Sequence, residues 1–300
     1  MVKFYMMIGL PASGKSTIAK EIAERENAVI ISTDDLRQEL LNDVNSQENN
    51  NLIFVEAERR LKANIEAGRN VIFDATNINY KKRRDWLNRF NKYAVKKIGI
   101  LVATPYEECL ERNAWRERKV PEEVIKRMYF NFYIPQYYEG FNDIQIVYNE
   151  TLPVKLDNLL KKMDMSQDNP HHTLTLKEHC MKVQEIINSQ EHRYYMRDIG
   201  LLHDIGKIET KTFVNTKGEK TDVAHYYNHE KVGAYISCLN IDELWQLTTP
   251  DLINRANLIQ WHMLLHFDLS EKTITKYKNM LGESTWKDLE LLHKADCEAR

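Results

Sequence analysis

The sequence predicts two domains in tandem: an α/β domain with a parallel sheet and a phosphate-binding loop, then an all-α domain. Three observations predict this. The chain has 300 residues, which at about 150 residues per domain suggests two. Up to about residue 150, short β-rich runs alternate with helical patterns, the signature of a parallel three-layer sheet; beyond it the patterns are helical. All ten histidines lie after residue 170, from His171 to His293. A composition step of that kind points to two chemistries joined end to end.

Bulk composition excludes several classes. With 43% hydrophobic and 29% charged residues, the chain is an ordinary globular protein and not a largely disordered one. Residues 1–150 carry 23 Lys/Arg against 22 Asp/Glu, and residues 151–300 carry 19 against 22. That near balance excludes coating nucleic acid by bulk charge and leaves room for a local patch. Cys109, Cys180, Cys238 and Cys297 form no C-x-x-C, so reduced thiols and a cytoplasmic setting are expected. The apolar start is too short for a signal peptide, and no run of 18 apolar residues exists, so no membrane association is expected.

In chain order, residues 2–8 read as a buried strand. A glycine-containing turn follows, then a helix from Ser16 to about Arg25. Further strands are expected at 28–32, 70–73, 98–102 and 144–148, the last closing a domain over 1–152. Residues 155–163 suggest a short helix within a linker spanning 153–169. The second domain, 170–300, reads as helices at 176–189, 194–204, 228–239, 250–266 and 284–299. A hairpin around Lys217-Gly218 is the one candidate strand feature there.

The first strand runs into Gly9-Leu-Pro-Ala12-Ser13-Gly14-Lys15-Ser16-Thr17, which fits the phosphate-loop pattern in its proper strand–turn–helix context. Backbone N–H groups of such a loop turn toward phosphate oxygens, and the helix N-terminus adds positive potential. Lys15 can reach the β- and γ-phosphates of ATP or another nucleoside triphosphate, and the Ser16 hydroxyl can ligate Mg²⁺. The second strand delivers Thr33-Asp34-Asp35-Leu36-Arg37 to the ligand-facing end of the sheet. One aspartate can take a proton from an attacking hydroxyl and the other can cap the helix; Asp34 is favoured as the base and Asp35 as the cap. Arg37 can hold an anionic acceptor. Asp74 ends a third strand and can orient Mg²⁺ through water. Beyond Thr76 and Asn77 comes Lys81-Lys82-Arg83-Arg84, which can grip a polyanion or form a solvated helix face. Arg112 and Arg116, four apart, share a helix face; with Arg118 they can close over phosphates.

These blocks resemble the kinase domain of phage-type polynucleotide 5′-kinases, within the wider P-loop kinase group. The matching pieces are G-L-P-A-S-G-K-S-T (9–17), D-D-L-R (34–37), D-A-T-N (74–77) with Arg83 and Trp86 behind it, R-N-A-W-R…V-P (112–121), and Arg127-Met128-Tyr129. The resemblance implies that Asp34 is the general base for a 5′-hydroxyl and that Arg37 contacts the acceptor phosphate. It implies that Arg112 and Arg116 form the lid pair, and that Thr76, Asn77 and Arg83 face the substrate.

In the second half, His203-Asp204 sit in the apolar stretch Ile199–Lys207, and His179, His229, His262 and Asp296 fall on other predicted helices. A helical bundle can project such side chains inward around a metal. Imidazole with carboxylate suits borderline divalent ions. His262 and His266 are four apart, so either can be the ligand, with His262 favoured. His171, His192, His225 and His293 read as surface or outer residues, and His172 as a residue of the site's rim. The set resembles the HD phosphohydrolase superfamily through Leu176-Lys-Glu-His179, Leu202-His203-Asp204-Ile-Gly-Lys207, Asn228-His229-Glu230, Trp261-His262 and Ala295-Asp296. It implies one or two divalent transition metals (Mn²⁺, Ni²⁺, Co²⁺ or Zn²⁺) on His179, His203, Asp204, His229, His262 and Asp296. It also implies that Lys207 sits near a phosphate.

Together the two resemblances imply end repair of nucleic acid in a bacterial or phage-infected cell. A kinase would phosphorylate 5′-OH ends of RNA or DNA, and a phosphohydrolase would clear 2′- or 3′-phosphates or open 2′,3′-cyclic phosphates. A separate RNA ligase would be the partner. A small-molecule or tRNA-directed kinase joined to an HD nucleotidase is the alternative enzyme, and a non-catalytic nucleotide sensor the alternative of another class.

Overall fold

The computed structural model describes residues 1–44, 49–170, 173–190, 193–244 and 246–299. The chain divides into two compact units. The first comprises Met1–Ile125 and Pro135–Glu150, the second Lys126–Ile134 and Thr151–Arg300.

The first unit begins β1 (Val2–Ile8), α1 (Lys15–Glu26), β2 (Ala28–Ser32), α2 (Thr33–Leu41), α3 (Asn50–Glu66) and β3 (Asn70–Asp74). It continues α4 (Tyr80–Arg89), β4 (Val95–Ala103), α5 (Tyr106–Ala114) and the start of α6 (Glu122–Phe130), and ends with β5 (Asp143–Tyr148). The sheet order is β2-β3-β1-β4-β5, and every pairing is parallel. Central β1 is apolar on both faces, with Phe4 to Ile8 all buried, as expected for a strand covered by helices on either side. Tyr5, Met7, Ile72, Ile98, Ile100 and Val102 form one core with Ala19 and Ile22 of α1. Register then positions the site. Ser32 pairs with Asp74 and Ile8 with Leu101, so the loops after β1, β2 and β3 leave the sheet at one carboxyl-terminal edge.

The second unit adds α7 (Leu156–Met163), α8 (Leu176–Gln190), α9 (Ile199–Leu202), α10 (Lys207–Thr210), β6 (Lys211–Val214) and β7 (Lys220–Tyr226). It closes with α11 (His229–Ser237), α12 (Thr249–Trp261), α13 (Glu271–Leu281) and α14 (Glu283–Glu298). Antiparallel β6 and β7 flank the turn expected at Lys217-Gly218. Several features differ from the sequence expectation. Residues 126–134, expected within the first domain, belong to this unit, and α13 lies where no helix is expected. Residues 153–169 are built into this unit: Leu159 and Met163 are buried, and Val154 bridges to Ile241. The helix expected over 194–204 is a 3-10 turn at Tyr194–Met196 followed by four-residue α9. Its neighbourhood is very tight: a Cβ on Gly200 would lie 2.3 Å from the Gln184 backbone, and one on Gly206 would lie 2.0 Å from the His229 carbonyl oxygen. Glycine at both positions lets the His203-Asp204 turn press against α8 and α11. Finally, α12 stops at Trp261, and residues 262–266 form a 3-10 turn.

None of the helices among the described residues is long and apolar enough to cross a membrane. The four cysteines form no disulfide.

Candidate active sites

Between β1 and α1 the loop makes its turn through Ala12 (φ 62°) and Gly14 (φ 92°). A side chain on Gly14 would be strained by that φ and would strike the Asn149 amide at 2.0 Å, so glycine is required. Thr104 Oγ1 and Asn149 Nδ2 both donate to the Ser13 carbonyl, at 2.9 and 2.7 Å. The Gly9 N–H donates to Thr76 O at 3.1 Å. Lys15 is buried within the loop, its Nζ donating to Leu10 O at 2.6 Å. Burial pushes its pKa down, opposed by the nearby Asp74 and Asp34 carboxylates. Ser16 Oγ donates to Asp74 Oδ2 at 2.8 Å, and Thr17 N to Gly14 O at 3.0 Å. Burial raises the Asp74 pKa, opposed by Lys15 and the Ser16 hydroxyl. The hydroxyl–carboxylate pair beside a buried lysine matches the oxygen donors Mg²⁺ prefers.

Asp34 stands at the mouth of this loop, its side chain half exposed. Arg37 Nη1 lies 3.1 Å from its Oδ1 and Arg118 Nη1 2.7 Å from its Oδ2. Arg37 is itself buried, donating also to Thr33 O and Asn50 Oδ1. Asp35 is not the helix cap: α2 starts earlier, and Ser32 Oγ accepts from both Asp34 N and Asp35 N. Arg112 donates to Glu108 and to Asn149 O. Arg116 does not share its helix face, because α5 ends at Ala114 and Arg116 lies exposed in the turn beyond the Trp115 cap. It still couples electrostatically to Lys15.

Two expected substrate contacts are structural. Arg83 is wholly buried. Its Nε and Nη2 make a bidentate pair with Glu139, both bonds 2.7 Å, and its Nη1 donates to Asn77 O. The run of four cations hid this: Lys81, Lys82 and Arg84 are exposed, while Arg83 shares the inward face with Trp86 and Leu87. Asn77 donates its amide to Met7 O at 2.7 Å and so braces the loop after β3.

In the second unit, His179 comes from α8, His203 and Asp204 from the turn after α9, His229 from the start of α11, His262 from the end of α12, and Asp296 from α14. All six are buried. The Nδ1 atoms of His203, His229 and His262 face the carbonyls of Gly200, Tyr226 and Ile259 at 2.7, 2.8 and 2.7 Å. A carbonyl only accepts, so each Nδ1 carries hydrogen and each Nε2 is left to face the cluster. Those Nε2 atoms converge. His229 Nε2 is 3.2 Å from His262 Nε2 and 3.1 Å from Asp204 Oδ1; His262 Nε2 is 3.5 Å from that same oxygen. His203 Nε2 is buried without a hydrogen-bond partner, 3.4 Å from Asp204 Oδ2. His179 Nε2 lies 3.0 Å from Asp296 Oδ1.

Converging lone pairs and carboxylates require positive charge between them. The donors sort into two triads, His179/His203/Asp296 and Asp204/His229/His262, each with its atoms within 4.8 Å of one another. These residues fit a divalent transition metal, and the carbonyl contacts to Nδ1 are the outer hydrogen bonds that orient metal-binding imidazoles. Burial raises the Asp204 pKa, but Lys207 and His203 more than reverse it and hold the carboxyl well below its usual range. Burial opposes charge on His203, yet Asp204 drives its pKa up; burial lowers that of His262.

A cavity of about 470 Å³ opens onto Asp204, Lys207 and His229. Lys207 Nζ sits 2.7 Å from Asp204 Oδ2 and donates to Gln167 Oε1 at 3.0 Å. His225 and Tyr227 are stacked, 5.4 Å between centroids and 9° between planes, and both line the cavity. His225 is therefore a wall residue and not a bystander. Neither Gln167 nor Tyr227 belongs to a motif: Gln167 falls in the stretch read as a linker, and Tyr227 directly follows the strand that the expected hairpin supplies. His171, His172 and His192 lie outside the described residues. His266 contacts the outer oxygen of Asp296 and His293.

The fold and the two sites define a class: a P-loop kinase-like domain followed by an HD domain. Comparisons agree, since residues 4–135 match the AAA domain family and residues 171–296 match the HD domain family. The chain is an enzyme that fuses the two. Among curated proteins it is similar to L-seryl-tRNA(Sec) kinase of Methanococcus maripaludis, 29% identical over 242 residues, covering 72% of this chain and 92% of that one. Among solved structures it is similar to a chain of the Pnkp1/Rnl/Hen1 RNA repair complex, at 26% identity and TM-score 0.39; the overlay covers 42% of each chain. It also resembles a gluconokinase from Sinorhizobium meliloti, at 14% identity and TM-score 0.37, over 50% of this chain and 84% of that one.

Proposed function

We propose that the chain heals nucleic-acid ends, first among them those of RNA. In this reading its P-loop domain phosphorylates a 5′-hydroxyl, and its HD domain removes a 2′- or 3′-phosphate or opens a 2′,3′-cyclic phosphate. The observation that carries the reading is Asp34, a half-exposed carboxylate between Arg37 and Arg118 at the mouth of a loop that holds Lys15 and the Ser16–Asp74 pair. When bound, ATP with Mg²⁺ supplies the phosphoryl group. Asp34 accepts the proton of the attacking hydroxyl. Arg37 and Arg118 orient that carboxylate and present positive charge to the phosphate next to the acceptor. Lys15 and Arg112 stabilise the transferred charge.

In the HD domain His179, His203, Asp204, His229, His262 and Asp296 would hold one or two divalent metals, which would supply Lewis-acid activation of water and phosphate, and Lys207 places a cation where the cavity meets Asp204. The stacked His225–Tyr227 face offers a nucleobase an aromatic platform. A separate RNA ligase would complete repair.

A second reading is favoured by the L-seryl-tRNA(Sec) kinase relative, whose length is matched almost throughout: the P-loop domain phosphorylates a hydroxyl carried on a tRNA. One assay separates the two. The protein is incubated with labelled ATP and RNA or DNA oligonucleotides bearing 5′-OH and either a 3′-phosphate, a 2′-phosphate or a cyclic phosphate, and in parallel with seryl-tRNA. Label on oligonucleotide 5′ ends together with loss of the terminal phosphate supports end healing. Label on seryl-tRNA alone overturns it.

A further inference from the structure

Beyond the HD cluster, a second group of metal-type donors lies on its outer side. His266 ends the 3-10 turn after α12, and His293 and Cys297 are one turn apart on α14. Their donor atoms lie within 4.8 Å of one another. His266 Nε2 is 3.3 Å from His293 Nδ1, and Cys297 Sγ is 3.8 Å from His293 Nε2. A fourth donor is at hand: Asp296 Oδ2 is 2.9 Å from His266 Nε2, whereas its other oxygen faces His179. The two oxygens of Asp296 thus serve two different histidine groups. Positions 293, 296 and 297 share one helical face, so α14 presents three donors together and the 3-10 turn adds the fourth.

We propose that His266, His293, Cys297 and the outer oxygen of Asp296 form a cation site distinct from the HD centre, taking a zinc-class divalent ion. Two imidazoles, a thiolate and a carboxylate are the donor set of tetrahedral zinc. Metal–nitrogen and metal–sulfur bonds of about 2.0–2.3 Å set donor separations of roughly 3.3–3.6 Å in that geometry. The two His293 contacts use opposite ring nitrogens, of which one can ligate. Taken with one donor atom each, His266, His293 and Cys297 lie within 4.8 Å of one another and Asp296 Oδ2 lies 2.9 Å from His266 Nε2, so an ion would draw the side chains inward to close the site. Cys297 is the exposed cysteine, whereas Cys109, Cys180 and Cys238 are buried, and burial pushes the thiols of Cys109 and Cys238 up to about 12. An ion there would tie the end of α14 to the 3-10 turn and fix the Asp296 carboxylate toward His179. Asp296 is thereby also a positioning residue.

The test is a Co²⁺ titration of the metal-stripped full-length chain, read as thiolate-to-cobalt charge transfer in the near ultraviolet and as total metal content. The wild type should show the band. Cys297→Ser should lose it along with a single metal equivalent, and His293→Gln should weaken it. Cys180→Ser and His203→Gln should retain it, which separates the outer ion from the HD centre. Absence of the band in the folded wild type overturns the proposal, as does its survival in Cys297→Ser. Loss of the band in Cys180→Ser or His203→Gln also overturns it, because the thiolate signal would then belong to the HD centre.

Discussion

The two candidate sites are built by opposite constructions. The P-loop site is local: eight consecutive residues, one following helix and the ends of neighbouring strands supply nearly everything, mostly as backbone N–H groups, hydroxyls and carboxylates. The HD site is global: its six donors arrive from five separate segments between α8 and α14, mostly as imidazoles. The first therefore depends on a sheet register and two left-handed backbone positions, Ala12 and Gly14. The second depends on close packing, with Gly200 and Gly206 allowing the His203-Asp204 turn to reach the bundle centre. The histidine step at residue 170 is the sequence trace of that contrast, since a hard oxygen-seeking ion and a softer nitrogen-seeking one call for different side chains.

The contrast can be broken at several points. Replacing Asp204, which contacts Lys207, His203, His229 and His262, removes the hub of the HD cluster. Asp204→Asn should cost several kcal/mol of transition-state stabilisation and bring metal-dependent phosphate release to background, with ATP-dependent phosphorylation retained. Arg83→Leu leaves Glu139 buried without its partner. It should lower stability by about 3–5 kcal/mol in urea unfolding followed in the first unit, while Lys81→Ala and Lys82→Ala should move it by less than about 0.5 kcal/mol. Asp34→Ala should slow phosphoryl transfer by about 10²-fold or more with nucleotide affinity kept. If Asp35→Ala is the variant that abolishes transfer, the base is misassigned. Ser32→Ala should cost about 1 kcal/mol by thermal denaturation, because the α2 cap belongs to that hydroxyl.

Local construction was the more legible. The P-loop, its flanking strand and the alternation of strands with helices follow from contiguous patterns, and the structure places Lys15, Ser16, Asp34 and Asp74 together. The HD donors were legible one by one, and the structure brings all six together. What pattern reading lacked was direction. Lys81–Arg84 reads as one basic run, yet a helix turns its third member inward to Glu139, more than fifty residues away in sequence. Asp34-Asp35 reads as base and cap, yet the cap precedes them. Arg116 reads as one helical turn beyond Arg112, yet α5 ends between them. The cavity-lining pair His225 and Tyr227 and the Gln167 amide oxygen that accepts from Lys207 have no motif, since β7 and the stretch before α8 bring them there only in the folded chain.

The most direct test uses one RNA carrying a 5′-OH and a 2′,3′-cyclic phosphate, treated with ATP and divalent metal by the wild type, Lys15→Ala and Asp204→Asn. The wild type should convert both ends. Lys15→Ala should open or remove the cyclic phosphate and leave the 5′-OH, and Asp204→Asn should do the reverse. Loss of both conversions in either folded variant, or failure of the wild type to change either end, would contradict two separate phosphate chemistries acting on nucleic-acid ends.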